Sequence, residues 1–111
     1  MELNDLEKID ARGMFKTYDR WPEIASEAFE KKFEKIQYDN IDHIVFAGMG
    51  GSGSIGDTIA AILSKENIHI SNVKGFSLPK TVDSKTLVVV TSVSGITKES
   101  LEILQLSLIH I

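Results

Sequence analysis

Two short apolar runs, each broken off by a loop of glycine and hydroxyl residues, constrain this chain more than any other feature. The first run is His43-Ile44-Val45-Phe46-Ala47, and it ends in Gly48-Met49-Gly50-Gly51-Ser52-Gly53-Ser54. The second is Leu87-Val88-Val89-Val90, followed by Thr91-Ser92-Val93-Ser94-Gly95-Ile96-Thr97. By length and flanking residues both runs read as buried strands. Behind each loop the apolar spacing becomes helical: Ile55, Ile59, Ile62 and Leu63 after the first, and the residues from Thr97 onward after the second. An imperfect alternation from Ile68 to Val73 reads as one more strand, broken by Leu78-Pro79. Strands alternating with helices imply an α/β fold with a parallel sheet and right-handed crossovers. In such sheets ligands bind at the carboxyl ends of the strands, where both loops lie.

The segment before the sheet reads as helical, over residues 1–38, with the α/β part occupying 39–111. Pro22 suits a first helical position, because its missing N–H is not needed there. After it Ala25, Phe29, Phe33 and Ile36 form one apolar stripe. Glu23 and Glu27 early, with Lys31, Lys32 and Lys35 late, match the helix dipole. A shorter helix is expected between Arg12 and Arg20. At the other end Leu101 to Ile111 is mostly apolar, with no Gly, Asn or Pro to stop a helix. It reads as an interrupted frame, in which Ser107 to Ile111 need not be native sequence. Leu101, Leu104 and Leu108 are expected to face the sheet.

With 111 residues the chain holds one small domain, and 42% hydrophobic and 25% charged residues are ordinary for a soluble globular protein. The net charge of −4 argues against nucleic acid and membrane surfaces as partners, both of which favour basic faces. It does not argue against a small anion, which needs only a local pocket. Without cysteine there are no disulfides and no thiolate metal sites, in keeping with a cytoplasmic location. No apolar run is long enough to span a membrane, and the acidic stretch from Met1 to Asp10 is not a secretory signal.

In the first loop the glycines let backbone N–H groups approach a ligand, and the helix N-terminus behind them favours an anion. Ser52 and Ser54 add hydroxyls. In the second, Ser92, Ser94 and Thr97 surround one glycine, again at a helix start; such hydroxyls with backbone N–H groups can hold a phosphate without a lysine. Ser and Thr before a helix also serve as plain N-caps, and Gly-rich turns as plain connections. The occurrence of two such loops after strands of one sheet favours an anion site. The spacing Gly48-x-Gly50-x-x-Gly53 matches a dinucleotide fingerprint, but Ser71-Asn72-Val73-Lys74-Gly75 lacks the acid that should hold the ribose. A nucleotide P-loop is excluded, because no Gly-Lys-Ser/Thr closes the loop. His43 and His69 each stand beside a strand without a partner at ligand spacing and read as structural. Trp21 and Phe76 read as core or packing residues. Asp57 reads as a helix-dipole acid or as a partner for a neighbouring polar group.

Together the two loops resemble the sugar isomerase (SIS) domain, whose signatures are a Gly-x-Gly-Gly-Ser turn, here Gly48-Met49-Gly50-Gly51-Ser52, and a Ser-x-Ser-Gly-x-Thr loop, here Ser92-Val93-Ser94-Gly95-Ile96-Thr97. Gly13-Met14, Trp21-Pro22-Glu23, Gly56-Asp57 and Gly75-Phe76-Ser77-Leu78-Pro79 are similar to further segments of the bifunctional phosphoglucose/phosphomannose isomerases. Ile96 and Ser100 depart from that pattern, which usually has Asn, Asp or Glu and then Thr. The resemblance covers nearly all of the chain. It implies a flavodoxin-like strand order in a three-layer SIS-type sheet, truncated after about three strands, with a further strand beside the third in the intact protein. It implies a substrate phosphate site of Gly50, Gly51, Ser52, Ser92, Ser94 and Thr97, and interconversion of glucose 6-phosphate or mannose 6-phosphate with fructose 6-phosphate. Proton transfer through an enediol needs a positioned base and no metal or redox cofactor. The partner implied is a small-molecule sugar phosphate, within a homodimer of the intact protein. The family's acid–base glutamate, ring-opening histidine and lysine lie in later segments that no position here matches, so no catalytic residue is assigned. The other reading is a non-catalytic SIS module that senses a phosphosugar in a regulator. A longer reading frame separates the two, by a second SIS pattern in one case and a helix-turn-helix in the other.

Overall fold

In a computed structural model, which describes residues 3–110, the run His43–Ala47 is the middle strand of three. The elements in order are α1 (Leu3–Ile9), α2 (Met14–Asp19), α3 (Trp21–Glu30), β1 (His43–Ala47), α4 (Gly51–Ile62), β2 (His69–Val73), β3 (Thr86–Val90) and α5 (Lys98–His110). The sheet order is β2-β1-β3 with both pairings parallel, so the chain is α/β with helices preceding the sheet. His43 pairs in register with His69 on one side and Thr86 on the other, and Ala47 with Val73 and Val90.

Side chains alternate across a strand, so the register sorts the two faces. Val45, Ala47, Val73, Val88 and Val90 share one face, and Ile103 of α5 packs on it together with Leu78 and Val82 from the β2–β3 connection. Phe46 and Asn72 share the other face, where α4 runs so close that a Cβ on Gly56 would lie 2.6 Å from each of them. Helices therefore cover both faces. Val45 and Ile103 are fully buried, each a side chain whose burial stabilises by about 1.5–3 kcal/mol.

The face of α5 that meets the sheet differs from expectation. Ser100, Ile103 and Ser107 are buried, at spacings of three and four, whereas Leu101, Leu104 and Leu108 are exposed. Because α5 is apolar on nearly every side, spacing alone selects no face. The small serines on either side of Ile103 let the helix approach the sheet, and this selects the buried stripe. The Ser107 hydroxyl donates to the Leu104 carbonyl at 2.7 Å.

The chain divides into two compact units, one up to Ile36 and one from Gln37 onward. In the first, Asp10 accepts the Phe15 N–H at 2.9 Å and so anchors the start of α2, after Gly13 at φ 65°. Pro22 sits in the first turn of α3, as expected, but α3 ends at Glu30, where Lys31 turns to an extended ψ of 121°. Phe33 and Ile36 thus lie beyond the helix, and Lys31, Lys32 and Lys35 do not line its last turn. The reason is packing: a short helix draws most of its stability from a buried apolar face, and α3 buries no residue. Trp21 packs against Tyr18 in a tilted arrangement, with ring centroids 4.9 Å apart, but stays exposed, as does Phe76, so neither is a core residue.

Candidate functional site

The loops after β1 and β3 lie side by side at the carboxyl end of the sheet, because these strands are neighbours. The first turns at Gly50, whose φ of 54° and ψ of −129° belong to a region essentially limited to glycine. The turn is closed internally: the Ser52 N–H donates to the Met49 carbonyl at 3.1 Å and the Gly53 N–H to the Gly50 carbonyl at 3.0 Å. Among the described residues the amides of Gly50 and Gly51 have no acceptor.

The glycines fall into two kinds. A Cβ on Gly48 would lie 2.5 Å from the Thr91 hydroxyl, and one on Gly53 would lie 2.5 Å from the Gly48 carbonyl oxygen. Gly48, Gly53 and Gly56 are therefore glycines because the protein packs against them. Gly50 and Gly51 have nothing within 4 Å of the Cβ position and face open space.

The second loop gathers its hydroxyls. Thr97 Oγ1 lies 3.1 Å from Ser92 Oγ and 3.2 Å from Ser94 Oγ. The Gly95 N–H donates to Ser92 Oγ at 3.1 Å and the Ile96 N–H to Ser94 Oγ at 3.3 Å, which fixes both serines. The Thr97 carbonyl accepts the Leu101 N–H at 3.0 Å and so opens α5. Its hydroxyl engages the serines rather than an α5 amide, so the simple capping role that sequence left open is not the one seen.

Of the six expected site residues, the structure thus brings Ser92, Ser94 and Thr97 into direct contact and places Gly50, Gly51 and Ser52 on the adjoining turn. The Ser52 hydroxyl makes no hydrogen bond among the described residues; its carbonyl is held instead. Thr91 holds it, at 3.0 Å, and also reaches the Ala47 carbonyl at 3.3 Å while its own N–H donates there at 2.8 Å. Thr91 is the tie between the loops that sequence reasoning missed. The available signal was its position, as the first hydroxyl after the β3 run.

Beside the glycine turn stands a cation that sequence reasoning also passed over. Lys74, just past β2, runs its Cε to 3.1 Å from the Cβ position of Gly53. Its Nζ binds Asp57 at 2.6 Å, and Asn72 Nδ2 donates to the other Asp57 oxygen at 2.9 Å. Asp57 therefore bridges α4 to the end of β2, the partner role rather than the dipole role. Both charged side chains are half-exposed, so the pair contributes at most about 1 kcal/mol. A cavity of about 400 Å³ lined by Ser77, Leu78, Pro79, Lys80, Val82 and Leu106 takes no residue from either loop. His43 and His69, expected to stand apart, meet across β1 and β2 with ring centroids 4.6 Å apart. The register 43 to 69 was the signal, and it becomes visible only once the strands are paired. No described helix is long and apolar enough to cross a membrane.

Known proteins are similar to this chain over much of its length. Over 96 residues, 83% of this chain and 28% of the relative, the sequence is 35% identical to the bifunctional phosphoglucose/phosphomannose isomerase of Caldicellulosiruptor bescii. Over 73 residues, 66% of this chain and 22% of the relative, it is 37% identical to a protein of the same name from Thermoplasma volcanium. The chain spans about a quarter of the length of these curated relatives. No family model matches the chain, and no solved structure does.

Proposed function

We propose that this chain is the phosphate-holding part of a sugar-phosphate isomerase that interconverts glucose 6-phosphate or mannose 6-phosphate with fructose 6-phosphate. One observation carries the reading: the hydroxyls of Ser92 and Ser94 both lie within 3.2 Å of the Thr97 hydroxyl, on the loop next to the turn whose Gly50 and Gly51 amides have no acceptor among the described residues. Hydroxyls and amides at two helix starts are the donor set that a phosphate dianion needs. The names of the two relatives support the same substrate class.

In this reading the chain's residues hold the end of the sugar that does not react. The Thr97 hydroxyl now bonds both serine hydroxyls, and these accept from loop amides; a phosphate would instead accept hydrogen bonds from all three hydroxyls, while Gly50 and Gly51 donate from the other side. Fixing the phosphate sets the distance from the reacting carbons to a general base, and such positioning turns an encounter into a near-attack geometry. Proton transfer between adjacent carbons passes through an enediol, and its base belongs to segments other than those described.

The test is binding to the 111-residue chain, followed by calorimetry or amide chemical shifts. Fructose 6-phosphate and inorganic phosphate should bind, and fructose should not. The double variant Ser94→Ala, Thr97→Val removes donors to a charged group, each worth about 1.5–3 kcal/mol, so affinity should fall by at least about tenfold. Equal binding of fructose and fructose 6-phosphate, or unchanged affinity in the double variant, would sink the reading. The isolated chain should show no isomerase turnover.

A further inference from the structure

At the amino end of the sheet, away from the loops, His43 and His69 present their imidazoles to one point. Ser71 Oγ lies 3.0 Å from His43 Nε2 and 3.1 Å from His69 Nε2. The proton positions follow from the rest of the network. Thr86 Oγ1 accepts the Asp83 N–H at 3.0 Å and lies 3.2 Å from Asp83 Oδ1, to which it donates its single proton. His43 Nδ1, 3.2 Å from the same Thr86 oxygen, must then be the donor there. His43 therefore carries its proton on Nδ1, and the lone pair on Nε2 faces the Ser71 hydroxyl, which also lies 3.1 Å from His69 Nε2.

This is the arrangement in which histidines hold metals: one ring nitrogen donates into a carboxylate-backed partner, which fixes the ring and frees the other nitrogen. His43 is buried, so its ring is held in place by the sheet and by the Thr86 hydroxyl. His69 is exposed, so the site has an entrance and one ring free to adjust. We propose that His43 and His69 form a two-imidazole seat for a divalent transition-metal ion of the zinc, nickel or copper type, clamping β1 to β2. The ion would sit between the rings, about 2.0–2.1 Å from each Nε2, where they now share the Ser71 hydroxyl. Among the described residues no three His, Cys, Asp or Glu side chains are gathered, so the remaining positions fall to the Ser71 hydroxyl and water. Imidazole selects this class of ion over magnesium, which prefers oxygen.

An ion that binds only the folded chain raises the unfolding midpoint in step with the logarithm of its concentration. Thermal unfolding of the 111-residue chain is therefore measured with zinc chloride, nickel chloride or magnesium chloride. Zinc and nickel should raise the midpoint by about 4 °C or more at saturation, and magnesium should not. His69→Ala, at an exposed position, should fold and lose the shift, whereas His110→Ala should keep it. No shift with zinc or nickel, an equal shift with magnesium, or a shift retained in His69→Ala would overturn the proposal.

Discussion

Gly51 and Gly53 are two residues apart in the first turn of α4, yet alanine should act on them in opposite directions. A Cβ on Gly51 meets nothing within 4 Å, and the backbone there is not left-handed. Alanine then gains helix propensity, worth up to about 1 kcal/mol. A Cβ on Gly53 would sit 2.5 Å from the Gly48 carbonyl oxygen and 3.1 Å from Lys74 Cε. The lysine can swing aside, but the carbonyl belongs to the turn that ends β1 and cannot move alone. Forcing atoms into such a site costs about 1–3 kcal/mol. Since both variants share the propensity gain, the difference between them isolates the clash. It should amount to about 1–3 kcal/mol, or at least about 4 °C in midpoint for a unit of this size. Urea and thermal unfolding followed by circular dichroism measure it. If Gly53→Ala were as stable as Gly51→Ala, the close packing of the turn described above would be wrong.

Two further outcomes are expected. Ser100 is buried with no hydrogen-bond partner for its hydroxyl among the described residues, so Ser100→Ala should raise stability by about 1 kcal/mol in the same unfolding assay. β3 pairs only with β1 among the described residues and its Leu87 to Val90 are half-exposed, while Leu101, Leu104, Leu108 and Ile109 are exposed on α5. An open β-branched edge beside an apolar helix invites pairing, so sedimentation should show the chain self-associating at tens of micromolar, within the range of about µM to mM where such surfaces aggregate.

What was legible in the sequence was local. β1 and the start of the turn at Gly48 are fixed by an apolar run meeting glycines, and the structure places them within a residue of that reading. β2 and β3 shift by one residue each, to His69 and Thr86, the usual uncertainty of element ends. What was not legible depends on partners distant in sequence. The end of α3 is decided by whether Phe33 and Ile36 find cover, which a stripe on paper cannot say. The buried stripe of α5 is decided by the sheet's surface, which accepts Ser100 and Ser107 more readily than leucine. The meeting of His43 with His69, and the reach of Thr91 back to Ser52, require the strand order and register before they can be seen.

The candidate site shows the same division, and it separates stability from binding. The Gly-x-Gly-Gly-Ser pattern reads as one ligand motif, but the structure splits it. Gly48 leaves room for Thr91, the first hydroxyl of the other loop, so the two loop patterns are joined by packing before any ligand arrives. Only Gly50 and Gly51 face outward with unpaired amides. Gly50 also needs its positive φ, so a substitution there confounds strain with access. Gly51 does not, which makes Gly51→Ala the informative variant. Its methyl would stand in the space through which a ligand oxygen must approach the amides. The variant should therefore unfold no earlier than wild type and still bind fructose 6-phosphate less tightly. The expected loss is about one charge-assisted hydrogen bond, roughly tenfold in affinity. Calorimetric titration of the two proteins under identical salt decides it. Unchanged affinity would mean that the outward glycines are not where the phosphate sits, and would leave the hydroxyls of Ser92, Ser94 and Thr97 to hold it alone.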